Sequence, residues 1–162
     1  MKTTQTKKID WRRELQGALI VMIAFLWMPR CGDVSADRAA VTETLNAYFS
    51  ALNAGQVAEI TARYDDDGVF MPPGFPAAVG RNAVKASYTE ILNQIELDVV
   101  MAVDEVEIQG DIAFARTTSR GQVKIKATGQ STPEANKELF VLRRNADGAW
   151  KIARYCFNRL PK

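Results

Sequence analysis

The spacing of apolar residues changes once along the chain, and that change sets the class of fold. Between residues 38 and 94 apolar side chains recur at helical intervals; from residue 96 they recur at every second position. Helices first and strands afterwards make an α+β domain, not an alternating α/β one. Ser35 or Asp37 is placed to cap a helix that begins near Arg38. Val41, Leu45, Tyr48, Phe49 and Leu52 then form one helical face, and Gly55 ends the helix. A short second helix covers residues 57–64, with Ile60 and Tyr64 on one side. A third spans 82–94, with Val84, Tyr88, Ile91 and Leu92 in register. Residues 69–71 read as a short strand, and Pro72-Pro73-Gly74-Phe75-Pro76 as an edge or loop.

Four longer strands follow, at 96–109, 112–127, 137–144 and 150–158. Gly110-Asp111 and Asn145-Ala146-Asp147-Gly148 mark turns. Residues 128–136 are polar and carry Pro133, so they read as a loop. The expected fold is a cone-shaped, barrel-like curved antiparallel sheet packed against three N-terminal helices. Such a sheet closes a cavity between itself and the helices, a favoured site for an apolar ligand.

The chain has 162 residues with an apolar fraction of 47%, enough for one well-filled domain and a tail. It contains no His and two Cys. Ser-His-Asp and Cys-His nucleophile pairs are therefore excluded, as are His-ligated metal sites. A general acid or base must be a carboxylate, Tyr, Lys or Cys. Residues 1–30 hold six basic and two acidic residues, a net of +4, whereas 31–162 hold 15 basic and 17 acidic, a net of −2. The body thus carries no charge argument for nucleic acid.

The leader is read separately, as residues 1–36. Its basic residues precede an apolar run at 18–28, too short to span a membrane and suited to the h-region of an export signal. Arg12-Arg13 is a partial twin-arginine match. Cys31-Gly32-Asp33 is similar to the start of a mature bacterial lipoprotein, although Arg30 departs from that pattern. The expected location is exported, periplasmic or membrane-anchored, with membrane contact through the leader or a lipidated Cys31. A Cys31–Cys156 disulfide is not expected; Cys156 reads as a small buried strand residue.

The body, residues 37–162, resembles the nuclear transport factor 2-like superfamily, in its SnoaL-like and ketosteroid-isomerase-like branch. The residues that carry this are Ala47-Tyr-Phe-Ser-Ala-Leu-Asn-Ala-Gly55, Tyr64-Asp-Asp-Asp-Gly-Val-Phe-Met-Pro-Pro73, Gly80-Arg81, and Lys137-Glu-Leu-Phe-Val-Leu-Arg-Arg-Asn-Ala-Asp-Gly-Ala-Trp-Lys-Ile-Ala153. The resemblance implies an oxyanion-donating Tyr at Tyr48, with Tyr64 and Tyr88 able to hydrogen-bond to it. It places the family's base at Pro72 or Met71, and its second, protonated acid at Phe140. The tyrosines are present and both acids are replaced, so steroid isomerisation is not expected. On helical spacing alone, the tyrosines also fit plain core positions.

The resemblance further turns Phe114, Arg116, Glu138, Phe140, Leu142, Tyr155 and Phe157 toward the cavity, beside Met71. An Arg116–Glu138 pair there would satisfy both charges and leave Glu138 as a candidate base; a surface salt bridge is the plainer alternative. Asp65-Asp66-Asp67 lacks the spacing of a cation loop, so no metal is expected, and no cofactor is implied. Arg143, Arg144, Lys151 and Arg154 read as exposed strand charge. Three readings stay open. The first is a domain binding a small hydrophobic molecule in a Tyr-lined pocket. The second is an isomerase or cyclase acting on a hydrophobic carbonyl compound through Tyr48 and Glu138. The third is a non-catalytic module that dimerises. The resemblance implies a homodimer.

Overall fold

A computed structural model of the protein describes residues 33–161. The basic and apolar leader, Arg12-Arg13 and Cys31 lie outside these residues. Three helices, α1 (Val34–Asn53), α2 (Val57–Ala62) and α3 (Arg81–Gln94), accompany six strands. These are β1 (Tyr64–Met71), β2 (Ala78–Val79), β3 (Ile95–Gln109), β4 (Ile112–Ile125), β5 (Ser131–Arg144) and β6 (Trp150–Arg159). The sheet order is β2-β1-β6-β5-β4-β3. The four long strands form the expected antiparallel meander, while β1 joins β6 in parallel and makes the sheet mixed.

Helix α1 begins one turn earlier than expected because Asp33 is its cap. The Asp33 carboxylate accepts hydrogen bonds from the Ser35 N–H at 3.0 Å and the Ser35 hydroxyl at 2.8 Å. Asp37 is thereby free to be buried against Arg144, which donates to it twice, at 2.6 and 2.5 Å. The Arg144 guanidinium lies 4.6 Å from the centre of the Trp150 ring. Arg144 is therefore not the exposed charge that its basic neighbours suggested. It ties the start of α1 to the β5–β6 hairpin.

Helix α2 stops at Ala62, so Tyr64 opens β1 instead of closing the helix. The pairing of β1 with β6 slips between Tyr64 and Val69, and the three aspartates occupy the slip. Their charges are answered by arginines: Arg143 donates to Asp65 at 2.8 Å and Asp67 at 3.0 Å, and Arg81 meets Asp66 at 2.9 Å.

Strand β5 starts at Ser131, well inside the segment expected to be a loop. The reason lies in which way Pro133 faces. Ala135 C=O accepts from Leu160 N–H at 2.8 Å, on the β6 side of the strand. Pro133, two residues earlier, presents its missing N–H to that same side, beyond the end of the β6 ladder. Its pairing with Gln122 on β4 is undisturbed.

Three features shape β3 and its pairing with β4. At Gly121 a Cβ would stand 2.7 Å from Val99 Cα, so only glycine lets β3 and β4 come this close. Opposite, the Asn53 side chain closes the free edge of β3, donating to Val99 C=O at 2.8 Å and accepting from Val99 N–H at 3.0 Å. A bulge between Val103 and Glu105 then switches the faces of β3, so that Val99 before it and Val106 after it are both buried.

Candidate functional site

The inner face of the sheet, helices α1 and α3, and the loop after β1 enclose a cavity of about 840 Å³. That is within the size range of small-molecule sites. Among its lining residues the exposed Phe75, Glu90, Gln94 and Arg159 mark the mouth, and the buried Tyr48, Tyr88, Ser119, Glu138 and Tyr155 mark the floor. Pro72, Pro73, Gly74, Phe75 and Pro76 form one wall.

Tyrosines from three elements meet at the floor and just behind it. The Tyr88 hydroxyl lies 2.6 Å from that of Tyr48 and 2.9 Å from that of Tyr64, making Tyr88 the hub of a buried phenol chain. Burial pushes all three phenols above their ordinary range, as it does Tyr155. They are neutral hydrogen-bonding groups at physiological pH. The rings continue as a stack: Tyr155 lies on Phe140 at 4.1 Å between centres and beside Phe157 at 5.8 Å.

Glu138 is the buried charge of this floor. Thr117 Oγ1 donates to its Oε2, and Ser119 Oγ donates to its Oε1 at 2.7 Å. Burial pushes its carboxyl upward; the two hydroxyls pull it down, and Asp104 adds to the rise. The carboxylate is close enough to Tyr48 and Tyr155 for its charge to oppose their ionisation. Asn136 and Glu134 continue along the same face toward the mouth, where Glu134 holds Arg159 at 3.0 Å.

The expected site divides accordingly. Tyr48, Tyr88, Glu138, Tyr155 and Phe157 line the cavity. Tyr64 and Phe140 are fully buried behind the lining and pack the core. Met71 is more than a third exposed and is not part of the lining. Phe114 and Arg116 lie on the opposite face of the sheet. Phe114 is 40% exposed, and Arg116 is bound by Asp104 and Glu105, each at 3.1 Å. The register explains the reversal. Glu138 faces Thr117 across the ladder, while Arg116 faces the exposed Leu139, so an Arg116–Glu138 pair is impossible. The inner face of β4 is built of small residues, Ala113, Ala115, Thr117 and Ser119. Rings of Tyr48, Phe49 and Phe140 are packed together over the inner face and leave small residues the better fit. Cys156 is partly buried on the outer face, in register with Leu139.

The sequence reading missed Ser119, Glu134, Asn136 and Arg159, together with Phe49 and Leu52. Phe49 and Leu52 share a helical face with Tyr48, which would have placed them here. Glu134 and Asn136 share a strand face with Glu138, but the expected loop at 128–136 hid that signal. Of the positions that the resemblance gives to the family's two acids, Pro72 lines the cavity, Met71 lies outside its lining and Phe140 lies within the stack; none of the three is an acid.

Residues 45–155 match the SnoaL-like domain family. Among solved structures, the chain is similar to a ketosteroid isomerase-like protein from Erwinia carotovora atroseptica SCRI1043. That likeness has a TM-score of 0.74 and 38% identity, and covers 76% of this chain and 96% of that one. It is also similar to a conserved protein from Planctomyces limnophilus DSM 3776, at 20% identity and TM-score 0.70, covering 78% and 99% of the two chains. A nuclear transport factor 2-like superfamily protein from Salmonella enterica serovar Typhimurium LT2 shares 15% identity at TM-score 0.70, covering 80% and 94%. These last two show the fold alone. The chain matches none of the curated proteins. Helices over a curved mixed sheet, the family match and the 38% identical relative agree: the chain belongs to the SnoaL-like domain family of the nuclear transport factor 2-like superfamily.

Proposed function

We propose that the protein is a small-molecule-binding domain whose ligand occupies the cavity between the sheet and helices α1 and α3. The observation that carries this is the lining itself. Apolar and aromatic walls surround a few convergent polar groups, the hydroxyls of Tyr48 and Tyr88 and the carboxylate of Glu138. A space filled by Phe157 or Met71 would have favoured a purely structural role, but Phe157 sits in the wall and Met71 outside it. The ligand in this reading is a small, largely hydrophobic molecule. The protein acts after export, held at the membrane through its leader or a lipidated Cys31. It pairs with a second copy through the outer sheet face, where Ile112, Phe114 and Leu139 are exposed.

A second reading is favoured by one feature, the presence of Glu138 in the same cavity as Tyr48. A carboxyl raised by burial is a better proton acceptor than an ordinary one. Beside a phenol donor it suits an isomerase or cyclase acting on a hydrophobic carbonyl compound. The family's steroid reaction is not this one, because both of its acids are missing.

A thermal-shift screen of the protein against steroids, polycyclic phenols, fatty acids and small lactones tests the binding reading. A ligand at 100 times its Kd adds about 2.7 kcal/mol, a shift of several degrees for a domain this size. A hit weakened by Tyr48→Phe supports the site. Turnover of a hit that is lost in Glu138→Gln favours the second reading, and no stabilisation by any compound contradicts both.

A further inference from the structure

We propose that the cavity selects an apolar ligand bearing a positively charged nitrogen, with Glu138 as its counter-ion and aromatic rings as its walls. This deepens the reading of the cavity as a ligand site and rests on it. Four charged side chains line the space: the carboxylates of Glu90, Glu134 and Glu138, and the guanidinium of Arg159. Arg159 stands at the mouth, its side chain 72% exposed, and is already held by Glu134 at 3.0 Å. Glu90 is exposed and solvated.

Glu138 is different. It is 4% exposed, and its hydrogen-bond partners are two neutral hydroxyls, Thr117 and Ser119. Among the described residues no Lys or Arg forms an ion pair with it. Arg116, on the adjacent strand, is turned to the other face and engaged by Asp104 and Glu105. Hydroxyl donors satisfy the lone pairs of a carboxylate without neutralising its charge, and a buried carboxylate lacking a cation is costly. A ligand ammonium entering the cavity supplies that missing charge.

The walls suit the same chemistry. Phe157 is the cross-strand partner of Glu138, and Tyr155 is stacked beside it. Tyr48 closes the floor from α1. Ring faces attract cations, most strongly where water is excluded. An anionic ligand would be repelled by Glu138, and a neutral one gains a hydrogen bond but no charge pairing. Both hydroxyls point at Glu138, so the site is ordered before the ligand arrives.

The test uses three probes with one apolar body: 1-naphthylmethylamine, 1-naphthalenemethanol and 1-naphthoate. Each is titrated calorimetrically into the full-length protein and its Glu138→Gln variant near neutral pH. The proposal predicts that the wild type binds the amine at least about tenfold more tightly than the alcohol, and the carboxylate most weakly. In Glu138→Gln the preference for the amine falls to within about twofold, while the alcohol still binds. If Glu138→Gln does not fold, the order of the three wild-type affinities decides by itself. Equal binding of amine and alcohol by the wild type overturns the proposal and leaves the cavity reading standing, as does an amine preference unchanged in the variant. Binding of none of the three overturns the proposal, and the thermal-shift screen then decides separately whether the cavity reading stands.

Discussion

Ser119 on β4 donates a 2.7 Å hydrogen bond to Glu138 on β5, two neighbouring strands whose inner faces meet beneath the cavity. With Thr117 donating to the other oxygen, the carboxyl group is fixed in place by hydroxyls and has no Lys or Arg paired with it among the described residues. The stability of the empty protein should therefore depend on the charge of one residue. Burial raises the Glu138 carboxyl, the two hydroxyls oppose that rise, and Asp104 reinforces it. The groups facing it from α1 and β6 are the neutral phenols of Tyr48 and Tyr155. A carboxyl raised on folding contributes stability below its unfolded value and loses it as pH rises through its folded value. Urea midpoints should thus fall as pH rises above the ordinary glutamate range. In Glu138→Gln that decline should flatten. An identical pH slope in the variant would contradict the assignment.

Tyr88 accounts for both hydroxyl contacts of the phenol chain. Tyr88→Phe leaves the Tyr48 and Tyr64 hydroxyls buried without this partner, at a cost of about 1–3 kcal/mol. Tyr64→Phe removes one terminal hydroxyl and should cost less. Equilibrium urea unfolding of the two variants gives the order; a greater loss in Tyr64→Phe would show that Tyr88 is not the hub.

The pair of Asp37 and Arg144 is held on both carboxylate oxygens and covered by Trp150. Asp37→Asn breaks a largely buried pair and should destabilise by about 1–3 kcal/mol. Its hydrogen bonds from Arg144 hold the Asp37 carboxyl below the ordinary aspartate range. The stability it confers is present above that range and is lost as pH falls through the lowered folded value. The difference between wild type and variant should therefore shrink in strong acid. A constant difference across the acid range would refute the linkage.

Gly121 is where β3 and β4 come too close for any Cβ. Gly121→Ala should cost about 3 kcal/mol or more, or prevent folding, because the atoms in the way are backbone atoms of the neighbouring strand. Circular dichroism and thermal unfolding read this directly. A variant of unchanged melting temperature would mean that the sheet bends elsewhere.

Much of this architecture could be read from the residues because local and tertiary preferences agree. The helical faces of α1 and α3 were visible in the spacing of Val41, Leu45, Tyr48 and Tyr88, and Gly110 and Gly148 take the positive φ values their turns require. Glu138 is legible as a charge that precedes Phe140 and Leu142 on one face of an alternating strand. Strand β4 misled because its more apolar residues, Ile112 and Phe114, face outward. Which face is inner depended on the bulk of rings from other elements, a fact absent from β4 itself. Pro133 misled for a related reason: a proline interrupts a strand only where its N–H is needed, and here β6 has already ended. The cap at Asp33 was displaced because Asp37 is claimed by a residue 107 positions away.

Occupation of the cavity by ligand can be read from two substitutions. Leu97 lines it and is partly buried, so Leu97→Trp narrows the space while remaining apolar. Arg116→Ala, on the outer face, leaves the cavity untouched. The measurement is calorimetric titration of the strongest screening hit into wild type and both variants, each first shown to be folded. Binding should be at least about tenfold weaker in Leu97→Trp and unchanged in Arg116→Ala. Full affinity in Leu97→Trp, or its loss in Arg116→Ala, would place the ligand outside the cavity.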